Sequence, residues 1–220
     1  MLKSRLCIAF FAFAVGCAPA QKPLTDYVNP MLGTATLWDS VDLGFKPTKR
    51  TWGAEVFPGS SLPNAMVQVS PVTKFHSGAG YQYEDSVIYG FTHTNKGHWN
   101  LCHIPLLPVT GTPTPGDYCS PFSHERESAA PGYYQVFLDR YGVDAQLSST
   151  LRCAFHKYTY PAGAAASLLA DLQRSNEHVR AWDIRKEGDN VFAGWQQTGE
   201  KMYFYAVANR PVTGIEPVVE

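Results

Sequence analysis

The sequence predicts an all-β domain, an antiparallel β-sandwich preceded by a signal peptide. Short runs rich in Val, Ile, Tyr, Phe and Thr recur along the chain, and turn residues bound each run. Apolar and polar residues alternate in stretches such as 134–138 and 144–150, as expected when one face of a sheet is buried. No window longer than a few turns shows helical periodicity. Many short strands at regular spacing favour a sandwich over a barrel or a βαβ fold.

Nine runs are predicted to be strands. Gly142 breaks one hairpin, and Glu187–Asn190 forms the turn of another. The predicted strands are Asn64–Ser70, Val87–Thr94, Leu101–Thr110, Gly132–Asp139, Val143–Tyr160, Ala165–Leu172, Val179–Lys186, Asn190–Gln197 and Met202–Asn209.

Between Gly33 and Pro63 the sequence predicts one long irregular segment, rich in Gly and Pro, that contains Trp38, Trp52 and Phe57. Long loops inside compact domains are usually functional or disordered. The aromatic content favours a loop that covers or lines a site. The alternative is that these rings seal one end of the sandwich.

The first 20 residues are predicted to be a signal peptide. A short basic start precedes the apolar run Leu6–Val15, which is too short to span a bilayer. Two processing sites compete. Residues 14–17 resemble a bacterial lipoprotein box that would leave Cys17 acylated, whereas Ala18–Ala20 fits ordinary signal cleavage. Both predict export to the periplasm or cell surface, and an acylated Cys17 would add a membrane anchor without a spanning helix.

The remaining chain, about 200 residues, is long enough for one domain with a sizeable core. A net charge of −1 gives no sign of a nucleic-acid partner or a patch for anionic lipid. Aromatic residues make up 13% of the chain and charged residues 17%, which indicates a well-packed domain with some rings left for ligands such as sugars. Cys102, Cys119 and Cys153 follow the signal peptide, and the sequence leaves open whether they form a disulfide or stay free.

Two blocks punctuated by Gly and Pro carry a family resemblance: Trp52–Pro71 (WGAEVFPGSSLPNAMVQVSP) and Gly80–His93 (GYQYEDSVIYGFTH). Together they resemble the N-terminal domain of glycoside hydrolase family 92. Four shorter stretches agree with the family in the same order: Tyr27–Thr34, Leu106–Gly111, Ser123–Glu125 and Pro131–Val136.

The resemblance implies an exo-acting, calcium-dependent α-mannosidase that cleaves terminal α-mannosides with inversion of configuration. It implies a galactose-mutarotase-like supersandwich over residues 25–220, incomplete at its C-terminal end. In such enzymes the catalytic acid and base, and most calcium ligands, lie in a large helical domain that follows. We therefore expect no catalytic residue and no metal ligand within this chain, and expect the chain alone to be inactive.

The segment from Thr92 to His103 concentrates polar and aromatic side chains, and its residues 94–100 are predicted to form a loop between two strands. Loops at sheet ends commonly carry recognition residues. By resemblance, this loop reaches into the sugar-binding cleft, although many members have a Ser-Gly-Thr-Gly run where this chain has residues 95–100. The predicted substrate-binding residues are Trp99, His98, Asn100, His93 and Phe57.

A metal site built from His93, His98 and His103 is a weaker alternative. The spacing of five residues puts neighbouring side chains on opposite faces of a strand, whereas zinc ligands from one short element are usually closer together. Acidic residues give no catalytic pair either. The candidates are interpreted as solvated loop carboxylates, with Asp85 as a turn cap; they are Glu55, Glu84, Asp85, Glu125 and Glu127.

Three functions remain open from the sequence. The first is a domain of an exported α-mannosidase, which binds α-mannoside glycans together with a helical catalytic domain. The second is a stand-alone carbohydrate-binding surface lipoprotein, and the third is an inactive gene fragment. An exposed apolar face would favour a missing partner over independent binding.

Overall fold

A computed structural model of the chain describes residues 21–37, 44, 52–53, 55–96 and 101–218. None of the helices among these residues is long and apolar enough to cross a membrane. The strands are β1 (Thr36–Leu37), β2 (Trp52–Gly53), β3 (Ser60–Ser61), β4 (Gln68–Val72), β5 (Val87–Ile88), β6 (Gly90–Thr92), β7 (Leu106–Thr110), β8 (Ser120–Pro121), β9 (Glu127–Ala130), β10 (Tyr133–Leu138), β11 (Val143–Ser149), β12 (Ala154–Thr159), β13 (Ala166–Ala170), β14 (Ala181–Gly188), β15 (Val191–Gln197) and β16 (Lys201–Val207). Short 3₁₀ helices lie at Leu24–Tyr27 and His124–Arg126.

The strands form antiparallel sheets, as the sequence predicts. A central five-stranded sheet has the order β13-β7-β6-β4-β3, and a four-stranded sheet has the order β12-β11-β10-β9. A three-stranded sheet, β14-β15-β16, follows at the C-terminal end, and the pairs β1-β2 and β5-β8 are short ribbons.

The main core lies between the five-stranded and four-stranded sheets, which makes the domain a sandwich. In β10, Tyr134, Val136 and Leu138 are fully buried and alternate with half-buried residues. They belong to one cluster with Val69 of β4 and Val109 of β7. The alternation read from the sequence is therefore confirmed, because it records which side of the strand faces the other sheet.

A second core forms on the opposite face of the central sheet. Leu106 and Leu107 are neighbours in β7 and so point to opposite faces. Leu107 belongs to the main core, whereas Leu106 packs with Leu172 against the three-stranded sheet. The contacting residues of that sheet are Ile184, Met202 and Phe204.

Several predicted strands need correction. The run predicted at 143–160 is two strands, because Thr150 and Cys153 close a turn between them. The N–H of Thr150 donates to the carbonyl of Cys153 (2.8 Å), and the N–H of Cys153 donates to the side-chain hydroxyl of Thr150 (3.0 Å). The run predicted at 101–110 is a strand only from Leu106, and the run predicted at 64–70 begins at Gln68. The segment 33–63 is not wholly irregular, since it contains β1, β2 and β3.

The three cysteines that follow residue 20 are free thiols. Cys102 is buried, Cys119 is half-buried and Cys153 is exposed. Burial raises the pKa of the Cys102 thiol to about 12, so that it behaves as a small apolar side chain.

Candidate functional site

The predicted recognition loop connects β6 to the backbone that leads into β7. The structure describes the loop as far as Lys96 and again from Leu101, so His98, Trp99 and Asn100 lie outside the described residues. Their proposed sugar contacts stay a prediction. What the structure shows is how both ends of the loop are held.

The C-terminal end of the loop has unusual backbone geometry. Leu101, Cys102 and Ile104 have φ angles of 64°, 57° and 55°. Positive φ is uncommon for any residue other than glycine, and for a β-branched residue such as isoleucine it is an outlier. Each such residue costs about 1–3 kcal/mol and persists only where its surroundings enforce it. Backbone strain of this kind clusters at binding and catalytic sites.

Hydrogen bonds from three directions enforce this strained backbone. The N–H of Cys102 donates to the carbonyl of Thr94 (2.8 Å), and the N–H of Ile104 donates to the side-chain oxygen of Gln196 (2.8 Å). The carbonyl of Leu101 accepts from the N–H of Asn176 (3.0 Å). Gln196 is fully buried in β15, and its amide nitrogen is bonded in turn to two carbonyls. The loop is therefore anchored to a rigid base.

His93 is the predicted substrate contact whose surroundings are best defined. Its Nδ1 lies 2.8 Å from the carbonyl of Ile104, and its Nε2 lies 3.0 Å from Nε2 of His156 on β12. The Nδ1 of His156 lies 2.6 Å from the hydroxyl of Tyr158. Because a carbonyl only accepts, His93 carries its proton on Nδ1, accepts at Nε2 from His156, and His156 accepts from Tyr158.

This chain of hydrogen bonds uses both ring nitrogens of His93 and links the base of the loop to the four-stranded sheet. The arrangement favours a structural role for His93, as a support of the loop. Phe57 is half-buried in the segment before β3, and its predicted sugar contact stays a prediction.

The His93–His156 pair is expected to make the domain less stable in mild acid. Burial lowers the pKa of His93 to about 4, and burial together with the neighbouring His93 lowers the pKa of His156 well below its usual value. In the unfolded chain both histidines bind a proton near pH 6.5, while in the folded chain they stay neutral. Stability present above pH 6.5 should therefore be lost as the pH falls towards 4, by at most about 1.4 kcal/mol per pH unit for each histidine.

The check is urea unfolding at pH 7.5, 6 and 5 of the unaltered chain and of His156→Gln. The variant should show a smaller decrease of the unfolding free energy with falling pH. His178 is exposed, so His178→Gln is the matched control and should keep the original slope. An unchanged slope in His156→Gln would contradict the assignment.

His103 lies on a separate network. It is buried, with Nδ1 2.8 Å from the hydroxyl of Thr94 and Nε2 3.1 Å from the hydroxyl of Thr198. Burial lowers its pKa, against the opposing effect of Glu177. Among the described residues there is no group of three or more His, Cys, Asp or Glu side chains able to hold a metal ion.

Glu127 is not the solvated loop carboxylate that the sequence suggested. Its side chain is 2% exposed at the start of β9. It accepts hydrogen bonds from the hydroxyls of Tyr81 (2.9 and 3.0 Å) and Tyr134 (2.6 Å), and Nδ1 of His124 lies 2.5 Å away. Burial and the Glu127 charge raise the pKa of both tyrosines far above its usual value, so both remain donors.

His124 completes this cluster as an oriented partner of Glu127. Its Nε2 lies 2.7 Å from the carbonyl of Tyr83 and must donate there, and its ring stacks on Tyr83 with centroids 4.0 Å apart. Nδ1 of His124 faces the carboxylate of Glu127 on the other side of the ring, so both ring nitrogens have a partner. Tyr81, Tyr83 and His124 fall in the sequence blocks that carry the family resemblance, and Glu127 lies two residues after the stretch Ser123–Glu125. Those blocks therefore supply three of the four residues of this polar cluster.

The other acidic candidates have different surroundings. Glu84 accepts from the backbone N–H (2.8 Å) and hydroxyl (3.0 Å) of Thr36, which fixes β1 to the segment before β5. Asp85 accepts from the hydroxyl of Thr73 (2.7 Å), and that hydroxyl accepts from the N–H of Gln82 (2.9 Å). Burial raises the pKa of Asp85. Asp85 therefore braces a turn, in agreement with the sequence interpretation.

Beside Asp85 the surface opens into a cavity of about 520 Å³. It lies where β4 ends and β6 begins, so it occupies the opposite end of these strands from the recognition loop. Its lining includes two aromatic and four charged side chains: Phe75, Tyr89, Lys74, Glu84, Asp85 and Arg174. Sequence reasoning missed Arg174, which joins this group only through the fold, and equally missed His156 and His124.

Comparison with known families matches residues 27–219 to the family model described as the glycosyl hydrolase family 92 N-terminal domain. Among solved structures, the chain is similar to a family GH92 alpha-mannosidase from Bacteroides thetaiotaomicron. The two share 27% identity with a TM-score of 0.75, over 88% of this chain and 26% of that chain. The same mannosidase in complex with mannoimidazole aligns at 28% identity with a TM-score of 0.74, over 87% and 26% of the two chains.

A family GH92 inverting mannosidase from the same organism shares the fold, with 23% identity, a TM-score of 0.66 and coverage of 84% of this chain and 25% of that chain. The chain thus spans about a quarter of the length of these solved structures. A comparison with curated proteins finds no match.

Proposed function

The chain belongs to glycosyl hydrolase family 92, which its residues 27–219 match, and we propose that it serves as the N-terminal sandwich domain of an exported α-mannosidase. In this role it docks on a helical catalytic domain and supplies one wall of the cleft for terminal α-mannosides. The family match over nearly the whole chain is the observation that carries the proposal. The catalytic acid and base, and the calcium ion used by such enzymes, would come from the helical domain.

An exposed apolar face supports the docking role. In the three-stranded sheet, the register pairs Trp195 with Tyr203 and places both on the face turned away from the second core. On the same face of β16, Tyr203, Tyr205 and Val207 are 70%, 66% and 65% exposed. Contiguous apolar surface of this kind marks an interaction site. It favours a protein domain that packs on this sheet over the stand-alone lipoprotein alternative.

The strained and over-determined base of the loop supports the role in the cleft. Because Cys102 and Ile104 are fixed by hydrogen bonds, the backbone at the C-terminal end of the loop loses little conformational freedom on binding. Trp99 would stack on the sugar that leaves from the scissile bond, and His98 or Asn100 would bond to its hydroxyls. One such ring contributes on the order of 1 kcal/mol beyond area burial.

The test is Trp99→Ala in the enzyme formed with the helical domain. The value of kcat/KM for an α-mannobioside should decrease about tenfold, which corresponds to about 1.4 kcal/mol. Hydrolysis of an aryl α-mannoside should change little, because its leaving group is not a sugar. If both substrates lose rate equally and the domain unfolds more readily, Trp99 is a core residue and the cleft assignment is wrong.

Export is proposed on the sequence alone. The apolar run before Cys17 would direct the chain out of the cytoplasm, and acylation of Cys17 would hold it at a membrane surface. Replacement of Cys17 by Ser should abolish incorporation of labelled palmitate while leaving the fold unchanged. Incorporation that persists in that variant would exclude Cys17 as the acylated residue.

A further inference from the structure

We infer that the cavity at the end of β4 and the start of β6 binds a neutral pyranose unit of a glycan. The inference rests on the proposed function only for the choice of sugar, an α-mannoside. The site lies at the opposite strand ends from the loop that contains Trp99, and it is built from residues that the family resemblance did not single out as ligand contacts.

Two rings form an apolar corner of the cavity. The centroids of Phe75 and Tyr89 lie 6.0 Å apart with their planes at 56°, so the two rings meet as adjacent walls. Both side chains are half-buried, which leaves part of each ring accessible. A pyranose ring has an apolar C–H face, and aromatic side chains offer it a large, rigid contact surface at low cost in side-chain entropy.

Arg174 provides fixed hydrogen-bond donors. Its guanidinium lies over Tyr89 and Tyr118, with Cζ 5.7 and 5.5 Å from the two ring centroids. Its Nε lies 3.4 Å from Asp171, which also accepts from the hydroxyl of Tyr118. A guanidinium carries five N–H groups in a planar fork. With Nε directed to Asp171, the terminal nitrogens of this lining residue can donate to two adjacent sugar hydroxyls.

Asp85 and Glu84 provide hydrogen-bond acceptors in the same lining. Thr73 donates to Oδ2 of Asp85, and the N–H of Gln82 donates to Thr73, so the carboxylate is held in one orientation. Glu84 is fixed by Thr36. Ionised carboxylates accept without donating, so they complement the hydroxyl groups that donate from a sugar.

Charge balance indicates a neutral ligand. The lining holds two cations, Lys74 and Arg174, and two carboxylates, Glu84 and Asp85. A phosphate or uronate would meet carboxylates as well as cations, whereas a polyhydroxylated neutral ring can bond to both. The volume of about 520 Å³ is within the range of small-molecule sites, about 300–1,000 Å³. The opening to solvent would let the sugar remain part of a longer glycan.

The test is titration of the 220-residue chain with methyl α-D-mannopyranoside, followed by NMR chemical shifts. We expect a millimolar Kd, with the largest shifts in residues 73–89. Phe75→Ala and Asp85→Asn should each weaken binding at least fivefold. Phe155 is an exposed ring on β12, so Phe155→Ala is the matched control and should leave Kd unchanged. Circular dichroism checks the fold of every variant, and Arg174→Gln replaces any that unfolds.

Binding that is absent at 100 mM sugar, or that persists in both Phe75→Ala and Asp85→Asn, would overturn the inference. Binding lost in Trp99→Ala but kept in Phe75→Ala would also overturn it, and would assign the sugar to the loop instead. Tighter binding of mannose 6-phosphate than of the neutral sugar would contradict the charge argument. A failure of the proposed function would appear in a different experiment, the hydrolysis measurements with the helical domain, so the two failures are distinguishable.

Discussion

The purified 220-residue chain is expected to release no measurable mannose from α-mannosides, with or without added calcium. The family resemblance assigns the acid and the base to the helical domain, and each positioned proton-transfer group contributes about 10²–10⁴-fold to a rate. Loss of both groups should therefore lower the rate by several orders of magnitude. One acidic candidate, Glu127, has a side chain that is 2% exposed and is engaged by Tyr81, Tyr134 and His124.

The measurement is mannose release from α-mannobiosides and aryl α-mannosides over a long incubation. A parallel preparation of Glu127→Gln controls for contaminating mannosidase, because a contaminant would act equally in both samples. Release that depends on calcium, and that differs between the two preparations, would show that the chain contains its own catalytic groups.

Glu127→Ala is expected to destabilise the domain by about 3–5 kcal/mol, the typical effect of breaking a buried charged network by removing one partner. The carboxylate is 2% exposed and serves three partners. Its removal leaves the hydroxyls of the buried Tyr81 and Tyr134 without an acceptor, and it takes away the partner of Nδ1 of the half-buried His124. Such a loss is a large fraction of the stability of an ordinary domain.

Glu125→Ala is the matched control, because Glu125 lies two residues away and is exposed. It should change the unfolding free energy by no more than about 0.5 kcal/mol. Urea unfolding followed by tryptophan fluorescence measures both variants. A loss below about 1 kcal/mol in Glu127→Ala would mean that water satisfies the tyrosines, contrary to the buried geometry.

The sandwich could be predicted from the sequence because strand alternation is a local signal. Tyr134, Val136 and Leu138 repeat every second residue, and this spacing alone identifies the buried face of β10. The residues at which a strand begins and ends cannot be predicted from a local pattern where tertiary contacts determine them. The backbone from Leu101 to Ile104 looks like a strand by composition, but bonds from Asn176 and Gln196 hold it in a strained path that no local pattern announces.

The candidate sites were predictable only in part, for the same reason. The loop at residues 97–100 stands out by its mixture of polar and aromatic types. His93 stands out locally as a polar residue beside this loop, whereas its hydrogen-bond partner His156 lies 63 positions further along the sequence. The cavity combines Lys74 and Asp85 with Arg174, which is about 90 positions away from Asp85 by their numbers. Side chains brought together by the packing of two sheets, or by connecting segments distant in sequence, leave no spacing signature.

The most direct test of the proposed role is reconstitution with a separately expressed helical catalytic domain, the partner that the proposal requires. Neither part alone should hydrolyse α-mannosides, and the mixture in calcium should do so. Substitution of Tyr203 and Tyr205 by Ser should prevent association, because both are exposed on the outward face of β16. Restored hydrolysis that requires both parts is the predicted result. Equal activity of the helical domain with and without this chain would contradict the account.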